Sequence, residues 1–226
     1  MIARPAILRG AIFFMLCTGL WSCRSSAPVT HVSGEFTGTE HVLVLPFKNM
    51  AWLYGEGVNV RSPLTGKVFM TGPVAEGADR LLTDMLLDAL RQQTRFQTVR
   101  SSEAPEVLGA LQSTSDAQRS PLKALAQTGR MLNADLVFQG YLYRFKERLG
   151  KDYAAESAAS VAFDLYLIDS RAQKVVWSAY FDETQQALTD DLRFIGTFFR
   201  RGARWITAEE MASEAMTAMF KGFEQP

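Results

Sequence analysis

The sequence predicts an α/β fold, in which helices flank a mixed β-sheet that ends in late antiparallel hairpin strands and a C-terminal helix. Two observations predict it. The short apolar run His41–Phe47 precedes a segment of helical period, which is the order of a strand and its crossover helix. Later, the alternating segments 160–169 and 174–183 are separated only by Ser170–Gln173, and so short a link joins antiparallel strands.

The first half of the chain alternates strands and helices after the run at 41–47. Between Ala75 and Gln93, apolar residues recur at spacings of three and four, which predicts an amphipathic helix. Ser120 and Pro121 predict the start of another helix, because serine caps helix N-termini and proline is tolerated in the first turn. The elements expected here are helix 75–93, strand 96–100, a weaker helix over 105–112 and a helix from Ser120 to about Leu132.

The second half predicts a run of strands and then one helix. The three long strands are 134–145, 160–169 and 174–183. Thr207 and Glu210 have the spacing of a capping box, in which each side chain binds the other's backbone N–H. That pattern predicts the start of the C-terminal helix.

Residues 48–74 form an insertion between the first strand and the first long helix. The segments 58–60 and 67–71 flank a turn-forming stretch, which predicts a small hairpin. Trp52 and Tyr54 lie beside glycines in this insertion. The two aromatic residues could bind a glycan or a protein, or they could belong to a loop lid folded onto the core.

The N-terminus has the pattern of a secretory leader over residues 1–22. Arg4 and Arg9 precede an apolar stretch, and the small residue Ser22 stands before Cys23. The uncharged run, residues 10–23, is shorter than the roughly 20 residues that a membrane-spanning helix needs. We therefore expect cleavage before Cys23, with an uncleaved anchor helix or a simple signal peptide as alternatives.

The stretch Leu20-Trp21-Ser22-Cys23 resembles the lipobox of bacterial lipoproteins, although a smaller residue is usual in place of Trp21. The resemblance implies that Cys23 is acylated and anchors the chain. Arg24 and Ser25 follow Cys23. An aspartate directly after the cysteine would resemble an inner-membrane retention signal. Its absence implies that the chain is held at the periplasmic face of the outer membrane. We expect a flexible tether over 23–40, rich in Ser, Thr and Gly, and a single α/β domain over 41–226 with the insertion 48–74.

Composition argues against a nucleic-acid partner. The chain has 24 basic and 24 acidic residues, and removal of the leader takes away two arginines and no acid. The remaining balance is slightly acidic, whereas nucleic-acid-binding domains are usually basic. Cys17 would leave with the leader and Cys23 would be acylated, so the processed chain would have no free thiol.

Catalytic signatures are absent from the sequence. The chain has two histidines, His31 and His41, and lacks the G-x-S-x-G, C-x-x-C and H-E-x-x-H patterns. We therefore predict neither an enzyme nor a bound metal or cofactor.

The segment 192–206, LRFIGTFFRRGARWI, is rich in aromatic residues and arginines. Such a mixture is typical of a surface that binds a protein partner, or of an interfacial membrane contact. Alternatively, the aromatic rings pack on the sheet and the arginines are simply solvated. The candidate partner-binding residues are Phe194, Phe198, Phe199, Arg200, Arg201, Arg204 and Trp205.

The order of these elements, with the stretches VLVLPF, RFQTV, ADLVFQGYL and FDLYLIDSRAQKVVWS, resembles a domain shared by bacterial envelope lipoproteins. That group includes CsgG, PelC and the N-terminal domain of TolB, and the resemblance covers roughly residues 41–183. It implies a non-enzymatic accessory component of secretion or envelope assembly, which acts through protein partners or self-association. The alternative is a periplasmic module that binds glycan or lipid.

Overall fold

A seven-stranded mixed sheet forms the centre of the computed structural model, which describes residues 27–34, 40–113, 120–151, 154–185, 206–221 and 223. The strands are β1 (Val29–Val32), β2 (His41–Val44), β3 (Lys48–Asn49), β4 (Asn59–Arg61), β5 (Val68–Met70), β6 (Gln97–Val99), β7 (Leu136–Lys146), β8 (Leu149–Lys151), β9 (Ala154–Ser157), β10 (Ser160–Asp169) and β11 (Lys174–Thr184). The helices are α1 (Met50–Tyr54), α2 (Ala78–Gln93), α3 (Ala104–Gln112), α4 (Pro121–Met131) and α5 (Ala208–Phe220).

The strand order in the sheet is β1-β11-β10-β7-β2-β6, and β3 pairs with β7 as well. β2 is parallel to β6 and β7, whereas β10 is antiparallel to both β7 and β11. The predicted fold class is confirmed, including the late hairpin of β10 and β11 and the C-terminal helix α5. Two small hairpins, β4–β5 and β8–β9, lie outside the main sheet.

The first predicted strand is interrupted near its end. Val42, Leu43 and Val44 are completely or almost completely buried, as expected for a strand covered on both faces. Pro46 has no N–H to donate, so regular pairing cannot continue through it. The chain pairs with β7 again at Lys48 and Asn49, which form β3.

Each face of the sheet is covered by a different set of elements. On one face, α2 and α5 pack against apolar residues of the strands. There the ring of Trp177 on β11 stacks on Phe220 of α5 at 5.4 Å and meets Phe138 of β7 edge-on at 5.9 Å. The other face is covered by α3, α4 and the β4–β5 hairpin of the insertion.

The capping box predicted for α5 is present. The Thr207 hydroxyl accepts a hydrogen bond from the backbone N–H of Glu210 at 3.0 Å, and the Glu210 carboxylate accepts one from the N–H of Thr207 at 2.9 Å. Glu147, just after β7, accepts another from the N–H of Ala208. The start of α5 is therefore fixed both by its own sequence and by the sheet.

Three features depart from the sequence-based expectations. Val29–Val32, within the expected tether over 23–40, form strand β1 and pair with the free edge of β11. The insertion contains helix α1 in addition to the predicted hairpin. Residues 149–151 and 154–157 pair as the hairpin β8–β9, for which no element was expected.

We predict that Gly140→Ala destabilises the fold. A Cβ at position 140 on β7 would lie 2.5 Å from ring carbons of Phe47, which is itself buried. Overpacking of this kind costs about 1–3 kcal/mol of unfolding free energy. Urea titration followed by circular dichroism measures the change.

Gly109→Ala is the matched control for this substitution. Gly109 lies within α3, and an added Cβ there meets no atom within 4 Å. Because alanine favours helix, we expect a gain of about 0.5–1 kcal/mol. Equal effects of the two substitutions would contradict the packing assigned to Gly140.

Candidate interaction surface

The insertion is a small unit whose two parts are joined at their base. Asn49 caps α1 by accepting a hydrogen bond from the N–H of Trp52 at 2.9 Å. The hydroxyl of Thr71, just after β5, donates to the Gly55 carbonyl at 2.7 Å and accepts from the Val58 N–H at 3.1 Å. Helix α1 and the β4–β5 hairpin are therefore held side by side.

Six apolar residues of the insertion are exposed, and we call them the apolar ledge. Trp52 is 82 % exposed and Tyr54 is 59 % exposed, which is unusual for large aromatic side chains. The ledge consists of Trp52, Leu53, Tyr54, Val58, Val68 and Met70. The exposure of Trp52 and Tyr54 contradicts the alternative in which they are folded onto the core.

The backbone geometry of the insertion explains why the ledge faces outward. Successive side chains on a strand point to opposite faces. In the hairpin, Val60 and Phe69 point towards the sheet and are buried, so Val68 and Met70 must point away. In α1, the first turn is buried through Met50 and Ala51, and the following residues are exposed.

Aromatic and ionic contacts hold the hairpin on the sheet. Phe69 stacks on Tyr143 of β7, with ring centroids 4.2 Å apart. Lys67 places its ammonium group 3.8 Å from the ring centroid of Tyr180 on β11. Arg144 donates a hydrogen bond to the Met70 carbonyl at 2.9 Å and forms an ion pair with Asp182 at 2.7 Å.

A buried chain of hydroxyl groups provides a second attachment. The Tyr166 hydroxyl donates to the carboxylate of Asp164 at 2.6 Å. Its oxygen is therefore free to accept from the hydroxyls of Ser62, at 2.6 Å, and Thr65, at 2.9 Å, both in the turn of the hairpin. Tyr143 donates to the same Asp164 oxygen at 3.1 Å.

Asp164 is completely buried, and its environment changes its acidity. Burial raises the pKa of Asp164 to about 7, although the hydrogen bonds from Tyr166 and Tyr143 act in the opposite direction. Burial and the nearby Asp164 charge also raise the pKa values of Tyr141, Tyr143 and Tyr166, so these phenols stay protonated donors. Because the carboxyl group is enclosed by the sheet and the hairpin, it can support the ledge but has no open path to a substrate.

The structure describes only some of the predicted site residues. Trp52 and Tyr54 lie together on the apolar ledge. Cys23 and the whole partner-binding set lie outside the described residues, and their roles remain predictions. That set is Phe194, Phe198, Phe199, Arg200, Arg201, Arg204 and Trp205.

The sequence did not reveal the role of the buried Asp164 or the other residues of the apolar ledge. A signal for Asp164 was present, since it is the acidic residue in the middle of a strand that otherwise alternates apolar and aromatic residues. Val68 and Met70 gave no such signal. All three residues of β5 are apolar, so the sequence does not show which of its two faces is buried.

Two negative findings apply to the part of the chain that the structure describes. No group of three or more His, Cys, Asp or Glu side chains there could hold a metal ion. No helix among the same residues is long and apolar enough to cross a membrane.

Comparisons with known proteins give matches in structure but not in sequence. No family model and no curated protein matches the chain. The PelC dodecamer of Paraburkholderia phytofirmans superposes with a TM-score of 0.52 at 13 % identity, covering 88 % of this chain and 98 % of that one. The chain shares the fold of PelC.

Weaker structural matches accompany PelC. The LpoB C-terminal domain of Salmonella enterica gives a TM-score of 0.40 at 14 % identity, covering 68 % of this chain and 88 % of that one. The lipoprotein GNA1162 of Neisseria meningitidis gives 0.38 at 13 % identity, covering 73 % of this chain and 98 % of that one. The predicted resemblance is thus confirmed for the fold of PelC, while the resemblance to CsgG and TolB remains a prediction.

We predict that the stability of the protein falls as pH rises towards and through 7. The folded state holds a proton on Asp164 up to about pH 7, whereas an unfolded aspartate loses its proton near its ordinary value of 3.8. The folded state therefore binds more protons in this window, and the free energy of unfolding decreases by about 1.4 kcal/mol per pH unit. Urea titrations should give a free energy of unfolding that is lower at about pH 8 than at about pH 5 by roughly 2–3 kcal/mol, the contribution of Asp164.

Asp164→Asn should remove this pH dependence, because an amide does not titrate and its oxygen can still accept from Tyr166. Asp84→Asn is the control, since Asp84 is an exposed residue that pairs with Arg100 on the surface. It should retain the wild-type slope. An unchanged slope in Asp164→Asn would show that Asp164 is already ionised in the folded protein at pH 5.

Proposed function

We propose that the protein is a lipid-anchored component of the bacterial envelope, held by Cys23 at the periplasmic face of the outer membrane. It acts without enzymatic chemistry, as an accessory to secretion or envelope assembly, by binding protein partners or further copies of itself. The observation that carries the proposal is the position of β1, the edge strand of a PelC-like sheet, only six residues after Cys23.

The place where β1 begins determines how closely an anchor would hold the domain. Cys23 and Val29 are separated by six peptide steps, which span at most about 20 Å when fully extended. An acylated Cys23 would therefore keep the sheet next to the bilayer, instead of on a long tether. Two or more acyl chains give the stable attachment that such a position requires.

The proposed partner-binding surface is the aromatic and arginine-rich segment 192–206. The described residues that border this part of the chain lie together, since the N–H of Ile206 donates a hydrogen bond to the side chain of Gln185 at 3.2 Å. Ile206 is followed by Thr207, the N-cap of α5, so Gln185 and Ile206 lie beside the start of that helix. The fold shared with PelC, which forms a dodecamer, supports self-association as one use of this surface.

The buried acid of this domain favours a structural role over a catalytic one. Asp164 is directed at two tyrosine hydroxyls and is covered by the hairpin. A general acid or base needs to reach a substrate proton directly or through one water. The enclosed position of Asp164 gives it no such access.

A second candidate function is a periplasmic module that binds glycan or lipid. The exposed rings of Trp52 and Tyr54 favour it, because aromatic faces stack on sugars and pack on acyl chains. A monomeric protein whose melting temperature rises with added saccharide would support this alternative. The following two experiments address the first proposal.

We predict that Cys23 carries fatty acid. Cells that express the full chain and are fed radiolabelled palmitate should yield a labelled protein of leader-less mass, because the processed cysteine is the acylated residue. Cys23→Ala should abolish the label, and Cys17→Ala should keep it, since Cys17 would leave with the leader. Label retained in Cys23→Ala would contradict the proposed anchor.

We predict that the detergent-extracted protein forms a large defined complex by native mass spectrometry. Phe198→Ala or Trp205→Ala should release copies or partners from it, because buried aromatic anchors contribute most of the affinity at protein interfaces. Met131→Ala, at an exposed apolar position at the end of α4, is the control and should leave the complex intact. Full retention in both aromatic variants would reject the role of segment 192–206.

A further inference from the structure

We propose that the apolar ledge of the insertion lies against the surface of the bilayer that holds the acyl chains of Cys23. This inference rests on the proposed lipid anchor and adds a second contact between the folded domain and the same membrane. Nothing in the anchor itself requires such a contact, because a lipidated chain can also hold its domain away from the lipid.

The first step is the position of the chain entering β1. Val29 pairs with Tyr180 on β11 in antiparallel register. The ring of Tyr180 lies below Lys67 and meets Phe69 edge-on, with centroids 6.3 Å apart. The N-terminal end of β1 is therefore next to the hairpin that carries the ledge.

The second step is the continuity between this hairpin and the rest of the ledge. Phe69 is buried, and its two neighbours in β5, Val68 and Met70, are ledge residues. Thr71 then connects β5 to the backbone of Gly55 and Val58, at the end of α1. The ledge thus extends from the neighbourhood of Tyr180 to Trp52 and Tyr54 without leaving the insertion.

The third step is the reach of the linker. Because Cys23 is at most about 20 Å from Val29, the acyl chains cannot leave this end of the molecule. The ledge is on the element that packs beside Val29's partner. An exposed apolar surface at that place either contacts the lipid or remains in water close to it.

The fourth step is the chemistry of the ledge. Tryptophan and tyrosine are the residues most enriched at membrane–water interfaces, where their apolar rings and polar edges meet both phases. Residues 48–74 contain three basic side chains, Lys48, Arg61 and Lys67, and one acidic side chain, Glu56. Arg61 is exposed and lies opposite Val68 on the outer face of the hairpin. Lys67 is held over a ring of β11, whereas Lys48 and Arg61 are exposed, and their positive charge complements anionic headgroups.

The test uses the full, processed chain in vesicles of phosphatidylethanolamine and phosphatidylglycerol, with or without a brominated phosphatidylcholine that quenches nearby tryptophan. The background is Trp205→Phe, which keeps an aromatic ring at this candidate partner-binding position. Trp21 leaves with the leader, so two of the four tryptophans remain. Trp52 is the reporter, and Trp177, which is 1 % exposed, is the internal reference.

We expect the brominated lipid to reduce the emission of the background protein. Further substitution of Trp52→Phe should abolish that loss, because Trp177 is shielded inside the fold. A matched control adds Met131→Trp to the Trp52→Phe protein. Met131 ends α4, five positions before β7 begins at Leu136, whereas the hairpin packs on Tyr143 in the later part of that strand. The new tryptophan should therefore stay unquenched.

The outcomes separate this inference from the anchor. If the protein is acylated and floats with the vesicles but Trp52 is not quenched, the ledge does not contact lipid and the anchor stands. If Cys23 is unmodified and the protein does not float, the anchor fails, and this inference fails with it. An unquenched Trp52 whose replacement by alanine dissociates a native complex would assign the ledge to a protein partner and overturn the membrane contact.

Discussion

The hydroxyl of Tyr166 connects the insertion to the sheet, and the orientation of the apolar ledge depends on that connection. It donates to Asp164 and accepts from Ser62 and Thr65, so one oxygen atom joins a central strand to the turn of the hairpin. Burying a carboxyl group is costly unless its oxygens are hydrogen-bonded. The tyrosine hydroxyls offset part of that cost. Because the Tyr166 hydroxyl also binds the turn of the hairpin, it holds the hairpin in one orientation.

The two faces of the sheet are stabilised in different ways. Towards α2 and α5 the packing is apolar and aromatic, with Trp177 at its centre. Towards the insertion, tyrosines supply both ring contacts and hydroxyl donors, as Tyr143 shows by stacking on Phe69 while bonding to Asp164. The first face is built from apolar side chains, whereas the second contains a titratable group whose pKa lies close to neutrality. The attachment of the insertion to the sheet therefore includes a group that titrates near neutral pH.

Sequence reasoning was most successful where local pattern and fold agree. The capping box at Thr207 and the short link between β10 and β11 each determine structure through neighbouring residues alone, and both were predicted. β1 was not predicted, because its four residues become a strand by pairing with the edge of β11, and the short stretch VTHV has no periodic pattern of its own. α1 was missed because five residues are too few to show a helical period.

The candidate site shows the same limit. Trp52 and Tyr54 could be recognised as unusual from composition, but their exposure follows from the burial of Met50 and Ala51 on the side facing β7. The role of Asp164 was overlooked because it acts through Tyr166, whose hydroxyl also binds Ser62 and Thr65 about 100 positions earlier. Long-range hydrogen bonding of this kind leaves no periodic trace in the chain.

The pairing of β1 with β11 also affects how the protein behaves at high concentration. An uncovered β11 would present eleven residues of unpaired backbone, a template on which strands of other molecules could add. β1 pairs with residues 177–180 of that edge and presents there a rim of only four residues, all of them exposed. The chain just after the proposed anchor therefore shortens the edge of β11 on which a foreign strand could add.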